Sequence, residues 1–140
     1  AMSTTSTEQA PLETVLAGQD IMDFHRLVKK VYVPENVGRY AVQLVRSTRP
    51  AAEEAPDFVK KWIRFGAGLR AIQYLLLGAK VHAVSHGRFN VASEDIRALA
   101  PDVLRHRVLT NFYAESEQVT VDQIIDQLVE TVSEPVSGLA

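Results

Sequence analysis

The sequence predicts an all-α fold, a small helical bundle with at most one short two-stranded β pairing. Apolar residues recur at helical spacing in separate segments, from Ile21 to Val31, Val37 to Val45, Ile72 to Ala83 and Ile124 to Val132. Most of the turn-forming residues, Pro34, Pro50, Pro56, Gly87 and Pro135, fall between those segments rather than inside them. With 140 residues, 46% hydrophobic and 23% charged, the chain has the balance of one ordinary globular domain.

The first predicted helix carries Ile21, Phe24, Leu27, Val28 and Val31 on one face, with Asp20 to cap its start. Pro34 ends it, because the ring removes a backbone donor and biases Val33 toward extended geometry, and can then open the next helix. That helix buries Val37, Tyr40, Ala41, Leu44 and Val45, and the stretch from Arg49 to Pro56 reads as a solvated connection. From Leu69 to about His86 runs the central helix. Ile72, Leu75, Leu76, Ala79 and Ala83 form its core face, and Tyr74, Leu77, Val81 and Val84 widen the burial. Gly87 is a left-handed stop, Phe89 to Val91 a short extended piece, and Ser93 the cap of a helix whose first turn holds Glu94 and Asp95. Pro101 interrupts that helix, leaving a short turn with Val103 and Leu104. The β-branched and aromatic stretch from Arg107 to Tyr113 is expected to pair with Trp62 to Phe65. A last helix, starting at Thr120 or Asp122, buries Ile124, Ile125, Leu128, Val129 and Val132 and ends before Pro135.

Composition closes several functions. Without cysteine there is no disulfide, thiolate nucleophile or cysteine-ligated zinc, and an intracellular, cytoplasmic setting is the simpler expectation. A net charge of −2 and a pI near 6.1 give no general field for phosphate backbones, so nucleic-acid binding is not expected. The longest apolar stretch, Ala71 to Val84, is broken by Gln73, Lys80 and His82 and falls short of the roughly 20 residues of a membrane span. The Ser3 to Thr7 run lacks the basic and apolar regions of a signal peptide. Ala1 reads as a residue left by cloning, and residues 1–10 as disordered.

The stretch Gly66-Ala67-Gly68-Leu69-Arg70-Ala71 opens the central helix with an arginine in its first turn, where the helix dipole disfavours a cation. Unpaired N–H groups there, with a guanidinium added, suit a phosphate oxygen. The plainer alternative is an exposed arginine paired with a nearby carboxylate.

That stretch resembles the G-A-S-P-R-A segment of MoxR-family AAA+ ATPases. Other pieces agree in order: Pro11 to Leu16 resembles the family's exit from the ATPase core, and Val31-Tyr32-Val33 through Tyr40 and Thr48-Arg49 resembles the next two lid helices. Gly87 to Ile96 is similar to G-R-x-x-V-T-P-E-D-V, and Ala98 to Arg107 to the family's terminal signature. The resemblance implies that residues 11–133 form an AAA+ lid helical domain, after the segment 1–10 and before a tail at 134–140. It implies that Arg70 is the sensor-2 residue, reaching the γ-phosphate of ATP, with Gly66 and Gly68 beside it. Gly68 and Leu69 depart from the family's Ser and Pro, which removes a side-chain cap and a rigid first turn. ATP and magnesium would belong to the intact parent. No Gly-x-x-x-x-Gly-Lys-Ser/Thr segment and no strand ending in paired acids is present, so this polypeptide is not expected to be an enzyme by itself. The implied partners are the AAA+ core of the same polypeptide, further copies in a homo-hexamer, and a von Willebrand factor A domain protein.

Other patterns are weaker. Gln73 and Lys80 share the helix face of Arg70 by the 3.6-residue period, so a nucleotide-facing stripe ending at Lys80 is conceivable beside an ordinary wet surface. His82 and His86, four apart, could share a metal, but with no acidic partner adjacent they read better as helix-end histidines favoured by the dipole. His106 reads as a hydrogen-bonded structural histidine. Lys60, Lys61, Trp62, Arg64 and Phe65 interleave basic and aromatic residues as single-strand binders do, though a solvated segment with inward aromatics explains them. Arg105 and Arg107 could contact a core or a second subunit. The alternative functions are a stand-alone helical interaction module and a helix-turn-helix DNA binder over Ser93 to Arg107, the latter opposed by charge.

Overall fold

The computed structural model describes residues 13–134, so the expected disordered segment 1–10, most of the tail, and Pro11 and Leu12 lie outside the described residues. Helix α4, Leu69–Ser85, sits at the centre because Ala71, Leu75, Ala79 and Ala83 recur every fourth residue and are all buried. Three of them are alanines, which let neighbouring helices approach closely. α5 (Ser93–Leu104) lies closest along it, and α2 (Glu35–Ser47) and α1 (Gly18–Lys30) pack beside it.

In α2 the expected stripe of Val37, Tyr40, Ala41, Leu44 and Val45 is buried throughout, and Pro34 is the N-cap. α1 differs from expectation. None of its residues is buried, Ile21 and Phe24 are about half exposed, and Leu27 and Val28 are half-buried; Val31, just past its end, is the residue that reaches the core. The physical reason is that α1 packs chiefly on α4, so most of its apolar stripe lacks a neighbour among the described residues. Asp20 is not the N-cap. It sits in the first turn and accepts the backbone N–H of Ala17 at 2.8 Å.

α5 corrects the expectation of a break at Pro101. The helix runs on to Leu104, because Ile96, Ala100 and Leu104 bury one continuous face whose packing outweighs the hydrogen bond that proline cannot donate. Ala92, not Ser93, is its N-cap, and the cap is closed by Asp95, which accepts the Ala92 N–H at 2.8 Å. Gly87, at φ 71°, stops α4 in the left-handed region, and the Phe89 to Val91 piece runs beside Tyr32 as a parallel bridge between Tyr32 and Asn90.

The β pairing forms as expected: β1 (Ile63–Phe65) and β2 (Leu109–Thr110) are antiparallel, with Ile63 opposite Thr110 and Phe65 opposite Leu109. Two short helices flank it that periodicity did not reveal. α3 (Asp57–Trp62) starts on Pro56, and α6 (Phe112–Ser116) starts where strand was expected to continue, because the Asn111 side chain accepts the N–H groups of Tyr113 and Ala114. α7, Val121–Thr131, is capped by Thr120 and buries Ile124, Ile125 and Leu128 against α5 and α2. No helix among the described residues is long and apolar enough to cross a membrane.

Candidate functional site

Three residues, Gly66, Ala67 and Gly68, join β1 to α4. Their path is set by the C-terminal end of α2. A side chain on Gly66 would drive its first carbon inside 3.0 Å of the Thr48 carbonyl, so only glycine fits there. Ala67 is buried. Its N–H donates to the Thr48 hydroxyl at 2.9 Å, and its carbonyl accepts from Arg49 Nε at 2.9 Å. Gly68 is the extended N-cap of α4, and no side chain caps the helix, so Arg70 projects from an uncapped first turn. Arg70 is exposed.

The distribution of arginines around this turn is uneven. Arg26, Arg39, Arg46, Arg88, Arg97 and Arg105 each pair with a carboxylate. Arg49, Arg64, Arg70 and Arg107 pair with none among the described residues. Each of these adjoins one corner of the molecule: Arg49 holds Ala67, Arg64 lies 5.2 Å over the Phe65 ring, and Arg107 lies 4.9 Å over the ring of Tyr74, one turn beyond Arg70. None of these four guanidiniums has a carboxylate within salt-bridge distance among the described residues, on a chain that is negative overall.

Gly66, Gly68 and Arg70 are thus brought together, and Lys80 is not. Ten residues further on, roughly 15 Å along the helix axis, Lys80 Nζ reaches the Lys29 carbonyl at 3.4 Å instead. Along the same helix Tyr74, Leu77 and Val81 do not widen the core as expected; at 50%, 48% and 46% exposure they continue the face of Arg70 as an apolar stripe. An open groove of about 710 Å³ lies elsewhere, between Val33, Pro34, Gly38, Val42 and Leu76, and does not include the arginine corner.

At the other end of α4 the structure supplies the acidic partner that His82 lacked in sequence. Asp95 is fully buried and accepts from both terminal nitrogens of Arg88, while His82 Nδ1 lies 2.6 Å from it. Burial alone would raise the Asp95 carboxyl, but the hydrogen bonds from Arg88, the Ala92 N–H and His82 hold its pKa down at about 2. His86 packs against His82 with ring centroids 4.3 Å apart and the ring planes tilted by 38°. No group of three or more metal-capable side chains gathers among the described residues. This network was invisible to periodicity, although Arg88 and Asp95 flanking one turn were a usable signal.

Lys61, Trp62 and Arg105 are tied up within the domain, whereas Phe65, expected to face inward, is 57% exposed. Lys61 Nζ and Trp62 Nε1 both donate to Glu117 at 2.9 Å, and Lys61 first, then Trp62, lower its carboxyl below the ordinary glutamate value. Arg105 bonds Asp122 at 3.0 Å. His106, expected in a structural hydrogen bond, is exposed.

Residues 58–128, which include both ends of α4, match the family described as AAA lid domain. The chain belongs to that AAA lid domain family. Its similarities run to whole proteins of MoxR type. Chaperone MoxR1 of Mycobacterium tuberculosis is 28% identical over 86% of this chain and 32% of its own length. Protein MoxR of Methylorubrum extorquens is 34% identical over 61% of this chain and 26% of its own. A crystal structure from Cytophaga hutchinsonii, provisionally described as an ATPase, superposes with a TM-score of 0.79 at 32% identity, over 84% of this lid and 36% of that chain. The lid thus spans about a third of the length of the curated relatives it matches.

Proposed function

We propose that this lid serves a MoxR-like AAA+ ATPase as its sensor-2 domain, with Arg70 meeting the terminal phosphate of ATP bound on a separate core. The observation that carries the reading is Arg70 itself, exposed in the first turn of α4 and free of carboxylates among the described residues. A cation there works against the helix dipole, and a phosphate oxygen would satisfy both the guanidinium and the uncapped N–H groups. Arg49, Arg64 and Arg107 add to the same field. ATP with magnesium would supply the phosphoanhydride to be cleaved; the lid contributes Arg70 as a charge stabiliser and Gly66 and Gly68 as the turn that aims it.

The apolar stripe of Tyr74, Leu77 and Val81 and the open face of α1 fit contact with that core, since they continue the face of Arg70 or pack beside it. Lid orientation would then follow the presence of the terminal phosphate and move neighbouring subunits as it changes. Kinship alone extends the proposal to a hexameric ring, chaperone-like remodelling or maturation of other proteins, and a von Willebrand factor A domain partner. The test is ATP turnover by the lid joined to its core: Arg70→Ala should lower it on the order of 10²-fold. Wild-type turnover in that variant would refute the sensor role. A product with no core attached would instead favour a stand-alone interaction module using the same apolar stripe.

A further inference from the structure

Ala67 lies two residues before α4 begins, in the turn that leads to Arg70. Both backbone groups of Ala67 are taken by consecutive residues at the end of α2. Thr48 is fully buried, and its hydroxyl donates to the Val45 carbonyl at 2.6 Å while accepting the Ala67 N–H at 2.9 Å. A hydroxyl has a single proton, so spending it on Val45 points the oxygen lone pairs at Ala67. Arg49 Nε donates to the Ala67 carbonyl at 2.9 Å, and the absence of a side chain at Gly66 lets the two backbones come this close. Arg49 itself is exposed and has no carboxylate among the described residues, so this carbonyl is the contact that orders it.

We infer that Thr48 and Arg49 form a positioning clamp that sets the angle of the first turn of α4 and thereby aims Arg70. The clamp rests on the sensor reading above only in its last step, from the aim of α4 to the nucleotide. Thr48 is a buried hinge pin and Arg49 an adjustable brace. A buried N–H held by one hydroxyl cannot rotate away without losing its partner, whereas the brace can be removed at the surface without opening the core.

Two measurements test it. In the 140-residue chain, Arg49→Ala should speed amide hydrogen exchange at Ala67 and Ala71 by about 10-fold while leaving Ile125 and Leu128 in α7 and the melting temperature unchanged. Thr48→Val should do the same more strongly and Thr48→Ser should restore protection; if Thr48→Val fails to fold, Arg49→Ala still decides. Unchanged exchange at Ala67 and Ala71 overturns the clamp. In the ATPase carrying this lid, Arg49→Ala should slow turnover, and the Arg49→Ala/Arg70→Ala double variant should be no slower than Arg70→Ala alone. Independent, multiplying losses overturn the positioning role and give Arg49 a contact of its own. Should Arg70→Ala by itself leave turnover at the wild-type rate, the sensor reading falls and the last step with it, while the exchange measurement still judges the clamp.

Discussion

At one end of α4, Arg88 is spent on a fully buried carboxylate that also engages His82 and a helix N-terminus; at the other, Arg70 stands in water with no carboxylate beside it. The first arrangement agrees with local rules, since cations gather where the helix dipole is negative and every polar atom of Asp95 finds a donor. The second violates them, and within the described residues nothing compensates. The difference separates a charge used to hold the fold from a charge held available to something outside it.

The largest effect should come from breaking the buried end. Asp95→Ala would uncap α5 and leave Arg88, itself about a third exposed, without its partner, at a cost of about 2–3 kcal/mol, read as a large fall in urea midpoint at constant slope. Arg70→Ala should leave that midpoint nearly unchanged while lowering turnover of the joined ATPase as stated above. A stability loss of similar size in both variants would erase the contrast between the two ends.

Acid sharpens the same contrast. The Asp95 pKa lies at about 2, below the value near 3.9 that an unfolded aspartate has. The stability it contributes is therefore present above pH 4 and is lost as pH falls through 4 toward 2, on the order of 2 kcal/mol. Asp95→Asn should flatten that part of the pH–stability curve, and Arg70→Ala should not. A wild-type curve that is already flat between pH 4 and 2 would mean that the buried network is not what stabilises this end.

How much of this was legible in sequence follows from which forces act locally. Helices α1, α2, α4 and α7 announce themselves because their apolar residues recur at the 3.6-residue period, α5 because Glu94 and Asp95 fill its first turn after Gly87, and the β1–β2 pairing because the stretches around Ile63 and Leu109 are β-branched or aromatic. α3 and α6 are too short for a period to register, and are set by Pro56 and the Asn111 cap. The break expected at Pro101 fails because packing of Ala100 and Leu104 outweighs one lost hydrogen bond. Gly66, Gly68 and Arg70 are singled out by the resemblance of Gly66 to Ala71 to a family segment, which periodicity alone does not supply. The clamp on Ala67 and the exposure of Tyr74, Leu77 and Val81 could not be read from the sequence, because both depend on which neighbour lies across from them, and periodicity counts apolar residues without asking what they face.

The smallest predicted effect bears on why the Arg70 end is left unfinished. Gly68 is the N-cap of α4 with open space around it, and Leu69 is an exposed first helical residue whose N–H lies among those a helix leaves unpaired. Gly68→Ser would add a capping oxygen worth a few tenths of a kcal/mol, and Leu69→Pro would pre-set the first turn for about 0.4–1 kcal/mol. Gly68 already has the extended backbone that a residue before proline requires. Both substitutions should therefore raise the thermal midpoint slightly. The serine oxygen, however, would occupy an N–H of the second or third helical residue that a phosphate would otherwise meet, whereas proline would remove only the N–H of residue 69 and leave those two open. If the uncapped turn is kept for an anion, Gly68→Ser should weaken nucleotide response in the joined ATPase while Leu69→Pro preserves it; equal behaviour of the two would mean that the guanidinium alone, and not the helix end behind it, does the sensing.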